Sequence, residues 1–282
     1  MDRPLPPLLS VRDLRTLLED GGPLHLLDVR WALDGSKGHH TYLAGHLPGA
    51  VYVDLDTSLA APARTEAGRH PLPEPADFAA ALRRAGVRAG SRVVAYDDGD
   101  GAPAGRLVWM LRALGHDAAL LDGGLAAWEG PLETDDVRPA EGDVPVREWP
   151  AARLADADEV AAAAASGDAL VVDARAAARY RGEVEPVDPR AGHVPGAVNL
   201  PYSGNLGEDG RFLAAEALRE RFTAAGVRED RQTIVYCGSG VTATHDLLAL
   251  EAAGFTDVRL FPGSWSQWSA DPSRPVAVGP TP

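Results

Sequence analysis

The chain has 282 residues, of which 45% are hydrophobic and 24% charged; a typical domain needs about 100–150 residues, so two domains are expected. With 41 acidic against 27 basic residues the net charge is −14, which argues against a nucleic-acid partner, because phosphate binding needs a surplus of Lys and Arg on one face. The single cysteine excludes an internal disulfide and a multi-thiolate metal site, leaving a buried hydrophobe or a reactive thiol.

In chain order, the first seven residues lack the basic stretch and apolar run of a signal peptide. No later segment reaches the roughly 18–20 uninterrupted apolar residues of a membrane helix. A cytoplasmic protein with no membrane partner is therefore expected. Apolar, β-branched runs of strand length fall at 24–29, 93–96, 170–173 and 233–236. Longer Ala- and Leu-rich stretches at 75–85, 107–114, 216–225 and 242–253 read as helices. Gly86, Gly115, Gly226 and Gly254 stand at their ends, where a left-handed cap suits glycine. Strands alternating with helices predict an α/β fold, a mainly parallel sheet with helices on both faces.

The pattern occurs twice. Leu26-Leu27-Asp28-Val29-Arg30 returns as Val171-Val172-Asp173-Ala174-Arg175, and Gly45-His46-Leu47-Pro48-Gly49-Ala50 returns as Gly192-His193-Val194-Pro195-Gly196-Ala197. Tyr96 matches Tyr236, and Trp128 after Gly123-Gly124 matches Trp268 after Gly263-Ser264. Ordered matches at a nearly constant offset mean two copies of one domain. The first is expected over residues 1–130 and the second over 151–282. Residues 131–150, rich in Pro, Gly, Asp and Glu, read as the linker.

The strand ending at Tyr236 runs directly into Cys237-Gly238-Ser239-Gly240-Val241-Thr242-Ala243 and then a helix. Cys237 is thus expected at the carboxyl end of a strand, where open α/β sheets place their ligands. Gly238 and Gly240 permit a tight loop with N–H groups turned inward. The helix N-terminus, with Thr242 as its expected cap, adds partial positive charge. Such a loop favours an anion at the sulfur, thiolate or persulfide. Phosphatases also use a cysteine between strand and helix, but they need an arginine about six residues on to grip phosphate. Ala243 stands there, and that reading fails.

Cys237-Gly-Ser-Gly-Val-Thr-Ala, both Gly-His-x-Pro-Gly-Ala turns and Gly-Ser-Trp-Ser-Gln-Trp near the end resemble the tandem-domain rhodanese family over nearly the whole chain. Within it the loop is most like the 3-mercaptopyruvate sulfurtransferases. The resemblance implies a catalytic second copy and an inactive first one, and Asp97 indeed stands opposite Cys237. It implies that Cys237 takes sulfur from a small anionic donor, with Gly238, Ser239, Gly240, Val241 and Thr242 lining the site and Arg179 binding the donor's carboxylate or sulfonate. It further implies a serine–histidine–aspartate arrangement, matched here by Ser239, His70 and Asp56. A second substrate arginine follows a Glu-Pro pair in such proteins; after Glu185-Pro186 stands Val187, and Arg190 is the nearest basic residue.

Acceptors of the sulfur would be cyanide, a low-molecular thiol or a thioredoxin-like protein, and neither metal nor organic cofactor is needed. With neutral Gly238 and Ser239 after the cysteine, 3-mercaptopyruvate is the expected donor. Thiosulfate, as in a thiosulfate:cyanide sulfurtransferase, is the alternative. A non-catalytic rhodanese-like binding or regulatory module is a further rival, set against by the presence of Cys237. Arg175, repeated as Arg30, reads as structural. His46 and His193, present in both copies, read as scaffold.

Overall fold

A computed structural model describes residues 4–282 and divides them into two compact units. One comprises Pro73–Trp149, Glu208–Arg211 and the chain up to Ala61; the other comprises Pro62–Leu72, Pro150–Gly207 and Phe212–Pro282. Residues 62–72, early in the chain, therefore belong to the unit that holds Cys237. Residues 130–149 carry no helix or strand and group with the first unit. There Val144 is buried, and its carbonyl accepts from Arg83.

The first unit's sheet has five parallel strands, β1 (Leu8–Leu9), β2 (Leu24–Asp28), β3 (Val51–Tyr52), β4 (Arg92–Tyr96) and β5 (Ala118–Leu121), in the order β1-β5-β4-β2-β3. The second has β6 (Leu170–Asp173), β7 (Val198–Asn199), β8 (Thr233–Tyr236) and β9 (Val258–Leu260) in the order β7-β6-β8-β9, again parallel. The order is the same once β2, β3, β4 and β5 are matched to β6, β7, β8 and β9. A lone parallel bridge between Leu154 and Leu260 stands where β1 pairs with β5.

Parallel strands need crossovers, and helices supply them. Those expected from the sequence occur at Pro75–Arg84, Ala102–Ala113, Ala215–Ala224 and Thr242–Ala252. The glycines that end them have φ of +79°, +76°, +95° and +88° in chain order, the left-handed turn anticipated for them. The helix Ala157–Ser166 starts on a capping box: Asp156 accepts from the N–H of Glu159 at 2.8 Å, and Glu159 accepts from that of Asp156 at 2.9 Å.

The repeated sequence motifs are repeated contacts. Asp28 pairs with Arg30 at 2.7 Å and Asp173 with Arg175 at 2.6 Å, each arginine also donating to the carbonyl of Gly45 or Gly192. Tyr96 and Tyr236, buried at the ends of β4 and β8, accept from the N–H of Leu47 and Val194. His46 stacks on Tyr42 at 3.9 Å and His193 on Tyr180 at 3.7 Å, with Nδ1 at the carbonyl of the same tyrosine. Trp265 and Trp268 lie in the second unit's core with Val171, Ile234, Tyr236 and Phe261.

Candidate active site

Register brings the motif residues together. Asp173 on β6 pairs with Tyr236 on β8, so the Asp173–Arg175 turn and Cys237 leave adjacent strands at their carboxyl ends. Cys237 is buried, and its Sγ accepts from the N–H of Gly240 at 3.2 Å. A turn near the end of the chain braces the loop from behind. Trp265 N–H donates to the Cys237 carbonyl at 3.0 Å and Ser266 N–H to that of Gly238 at 2.9 Å. Ser264 Oγ accepts from the Cys237 N–H at 3.2 Å. Ser264 has φ +52° and is the one non-glycine residue with positive φ among the described residues, a strained backbone at the foot of a candidate site.

Two expectations for the loop need correcting. Thr242 is the first residue of its helix, and Val241 occupies the cap position with no side-chain cap. No side chain caps the start of this helix, and the N–H that reaches the sulfur is that of Gly240. Of the two loop glycines only Gly240 uses its freedom, at φ +77°, whereas Gly238 lies outside the left-handed region. At 238 a Cβ would make ordinary contacts, 3.4 Å from a guanidinium nitrogen of Arg179 and 3.4 Å from one of Arg69, so the missing side chain leaves those two groups open to the loop.

His70, on the 62–72 segment, places Nδ1 2.8 Å from Ser239 Oγ, and both side chains are buried. Cys237, Ser239 and His70 therefore lie in one unit. Asp56 belongs to the other unit, in the short helix Leu55–Ser58, where its Oδ2 accepts from Trp31 Nε1 at 2.9 Å.

Arg179, in the helical turn Ala177–Tyr180, pairs with Glu185 at 2.6 Å and with Asp188 at 3.1 Å. Burial pushes the Glu185 carboxyl up, but the hydrogen bond and charge of Arg179 together with the N–H groups of Asp188 and Val187 outweigh it and hold the group below the usual carboxylate range. Arg190 does something else. Its guanidinium donates to the carbonyls of Trp268, Ser269, Asp271 and Arg274, so four of an arginine's five N–H donors tie down the C-terminal turn, and its assignment to the donor is corrected to a structural one. Sequence reasoning missed Arg69. It sits next to His70 and pairs with Asp188 at 2.7 Å; its adjacency to a candidate histidine was the available signal.

The first copy's loop carries a carboxyl at the matching place. Asp97 follows β4 as Cys237 follows β8, and its carboxylate accepts from the N–H groups of Gly99, Gly101 and Ala104 at 2.9–3.1 Å. Burial raises this carboxyl to about 6 while those hydrogen bonds lower it. The first copy's loop thus holds a carboxylate on its own N–H groups.

Among the described residues one group of possible metal ligands, His46, Glu133 and Asp135, has donor atoms within 4.8 Å of one another. The buried Nε2 of His46 is unpaired, but so is that of His193, where Ala277 stands across the bridge in place of Glu133. The unpaired nitrogen is therefore a property of the repeated turn and no metal signature. No helix among the described residues is long and apolar enough to cross a membrane.

A parallel α/β sheet used twice, with a thiol at a strand's end in one copy only, defines a class. The rhodanese-like domain family matches residues 10–131 and 156–271. The chain belongs to the rhodanese family and is a sulfurtransferase. It is 46% identical over 280 residues to a Pseudomonas aeruginosa protein named "Probable 3-mercaptopyruvate sulfurtransferase", covering 96% of this chain and 98% of that one. It is 44% identical over 279 residues to the Mycobacterium tuberculosis "Putative thiosulfate sulfurtransferase SseB", covering 96% and 97%. The crystal structure of the Escherichia coli 3-mercaptopyruvate enzyme SseA superposes with a TM-score of 0.81 at 34% identity, covering 93% of this chain and all of that one.

Proposed function

We propose that Cys237 is the nucleophile, that the sulfur travels as its persulfide, and that 3-mercaptopyruvate is the preferred donor. The Cys237 thiolate attacks the donor's sulfur and the carbon–sulfur bond breaks. Its electron pair goes to the enolate of pyruvate, which takes up a proton, and the sulfur stays on Cys237. An acceptor then attacks the outer sulfur and restores the thiolate; cyanide, a low-molecular thiol or a thioredoxin-like protein can serve. Two half-reactions through a covalent enzyme give ping-pong kinetics.

The observation that carries the donor preference is the 2.8 Å contact between His70 Nδ1 and Ser239 Oγ. A hydroxyl linked to an imidazole can polarise a ketone and deliver the proton its enolate needs. Thiosulfate has no such need, since sulfite leaves as a stable anion. Arg179 and Arg69 hold the donor's anionic group, whose planar oxygens suit a guanidinium. The cytoplasm is the expected compartment.

The test is catalytic efficiency for both donors in one buffer, native against Cys237→Ala, with mass spectrometry of the enzyme after donor alone. A gain of one sulfur atom on the native chain and none on the variant is expected. Undiminished turnover without the thiol would remove the mechanism. Higher efficiency with thiosulfate would reverse the donor assignment.

A further inference from the structure

Two positive groups do not gather beside one glycine unless something holds them. Asp188 does so. Its Oδ1 accepts from Arg69 Nη1 at 2.7 Å and its Oδ2 from Arg179 Nη2 at 3.1 Å. Its side chain is only 3% exposed, against 23% and 21% for the two arginines. Bound this way, Arg179 turns Nη1 and Arg69 turns Nη2 toward Gly238, each 3.4 Å from the position a Cβ would take there. Glu185 adds a second carboxylate on Arg179. The pair facing the Cys237 loop thus has its two positive charges met by two negative ones.

We infer that Asp188 is the residue that sets donor selectivity, as a positioning residue that clasps Arg69 to Arg179 and cancels much of their charge. This rests on the reading that the Cys237 loop takes an anionic sulfur donor. A compensated pair still offers N–H groups to a carboxylate, so a singly charged 2-oxo acid binds through directed hydrogen bonds. A dianion such as thiosulfate depends more on net field, because Coulomb energy scales with the ligand's charge, and gains less here. Val187, beside Asp188, is uncharged and leaves that field unsupplemented.

The test is Asp188→Asn, which removes the charge at nearly constant shape, assayed with 3-mercaptopyruvate and thiosulfate at low and high salt. The KM for thiosulfate is expected to fall by about the square of the factor seen for 3-mercaptopyruvate. The difference should shrink as salt screens it, and Asp188→Glu should return the native ratio. Equal factors for both donors, or efficiencies that fall together, would overturn the assignment. Calorimetric binding of pyruvate and of sulfate to the resting protein reads the same discrimination without turnover. If neither donor reacts with the native chain the functional reading fails, while a larger gain for sulfate than for pyruvate in Asp188→Asn would still uphold the role of Asp188. Equal gains would remove it.

Discussion

The weight of a hydroxyl beside a thiol depends on what leaves. Pyruvate departs from 3-mercaptopyruvate as an enolate and must be protonated, whereas sulfite needs no help. Ser239→Ala is therefore expected to lower kcat with 3-mercaptopyruvate by roughly 10²-fold, the low end for a lost general acid, and to leave thiosulfate turnover within a few-fold. Equal losses with both donors would show that Ser239 shapes the loop and moves no proton. At this scale the sequence was informative where chemistry is local: Cys237, Ser239 and Arg179 stand in short motifs that can be read directly. Arg69 was harder, because nothing in a linear string says that residues 62–72 join the second unit. Arg190 was misread for the complementary reason. Its sequence neighbours suggested a donor site, but its actual partners lie some eighty residues on, at Trp268 to Arg274.

The strand–loop–helix element works only if its loop is braced, and the two copies brace it differently. Gly124 of the first copy has φ +54° and Ser264 of the second has φ +52°, so the turn is shared. A Cβ at position 124 would meet the Asp97 carbonyl at 2.4 Å, which compels glycine there. The second copy instead accommodates a serine, whose Oγ accepts from the Cys237 N–H and donates to the Phe261 carbonyl. Ser264→Ala leaves that buried N–H without its partner, at a cost of about 1–3 kcal/mol, while keeping the positive φ. Ser264→Gly loses the same hydrogen bonds but relaxes the backbone, and should be about 1 kcal/mol more stable than the alanine variant. Urea denaturation of both variants decides it, and an alanine variant as stable as the glycine one would show that the backbone is not strained. In the loop itself, Gly238→Ala should raise the donor KM with little loss of stability, since its Cβ has room but would stand between the guanidiniums and the donor. Gly240→Ala, at φ +77°, should destabilise by about 1 kcal/mol. Strands and helices were legible in sequence because their periodicity and terminal glycines are local. The braces were not, since a serine at positive φ has no sequence signature.

For the whole molecule, duplication left one fold with different buried charges at matching places, and these govern its response to pH. Asp97 lies where the other copy has Cys237. Asp246, in the helix Thr242–Ala252, lies where the first copy has the buried Arg106. The repeat itself could be read from ordered sequence matches, but the state of these carboxyls could not, because it depends on burial. Asp246 is raised to about 8, burial being the main cause, with hydrogen bonding from Asn205 opposing it. Its Oδ2 has no partner, as a protonated oxygen at neutral pH would tolerate. Asp97 is raised to about 6 by burial. Both pKa values lie above the unfolded value of about 3.9, so between them the folded chain binds more protons than the unfolded one. The stability these groups contribute is present in full below pH 4 and is lost as pH rises. From pH 4 to 6 both act, and from 6 to 8 Asp246 acts alone. Asp246→Asn removes the carboxyl's titration while keeping an acceptor for Asn205. Relative to the native chain it should therefore gain stability steadily from pH 6 to pH 8, seen as a rising difference between their urea midpoints at constant slope. Asp97→Asn, which disturbs three loop hydrogen bonds, should be less stable throughout the range, and its difference from the native chain should change only below about pH 6. Parallel profiles for native and Asp246→Asn between pH 6 and 8 would mean that the buried carboxyl ionises normally, and the charge asymmetry between the two copies would then have no bearing on stability.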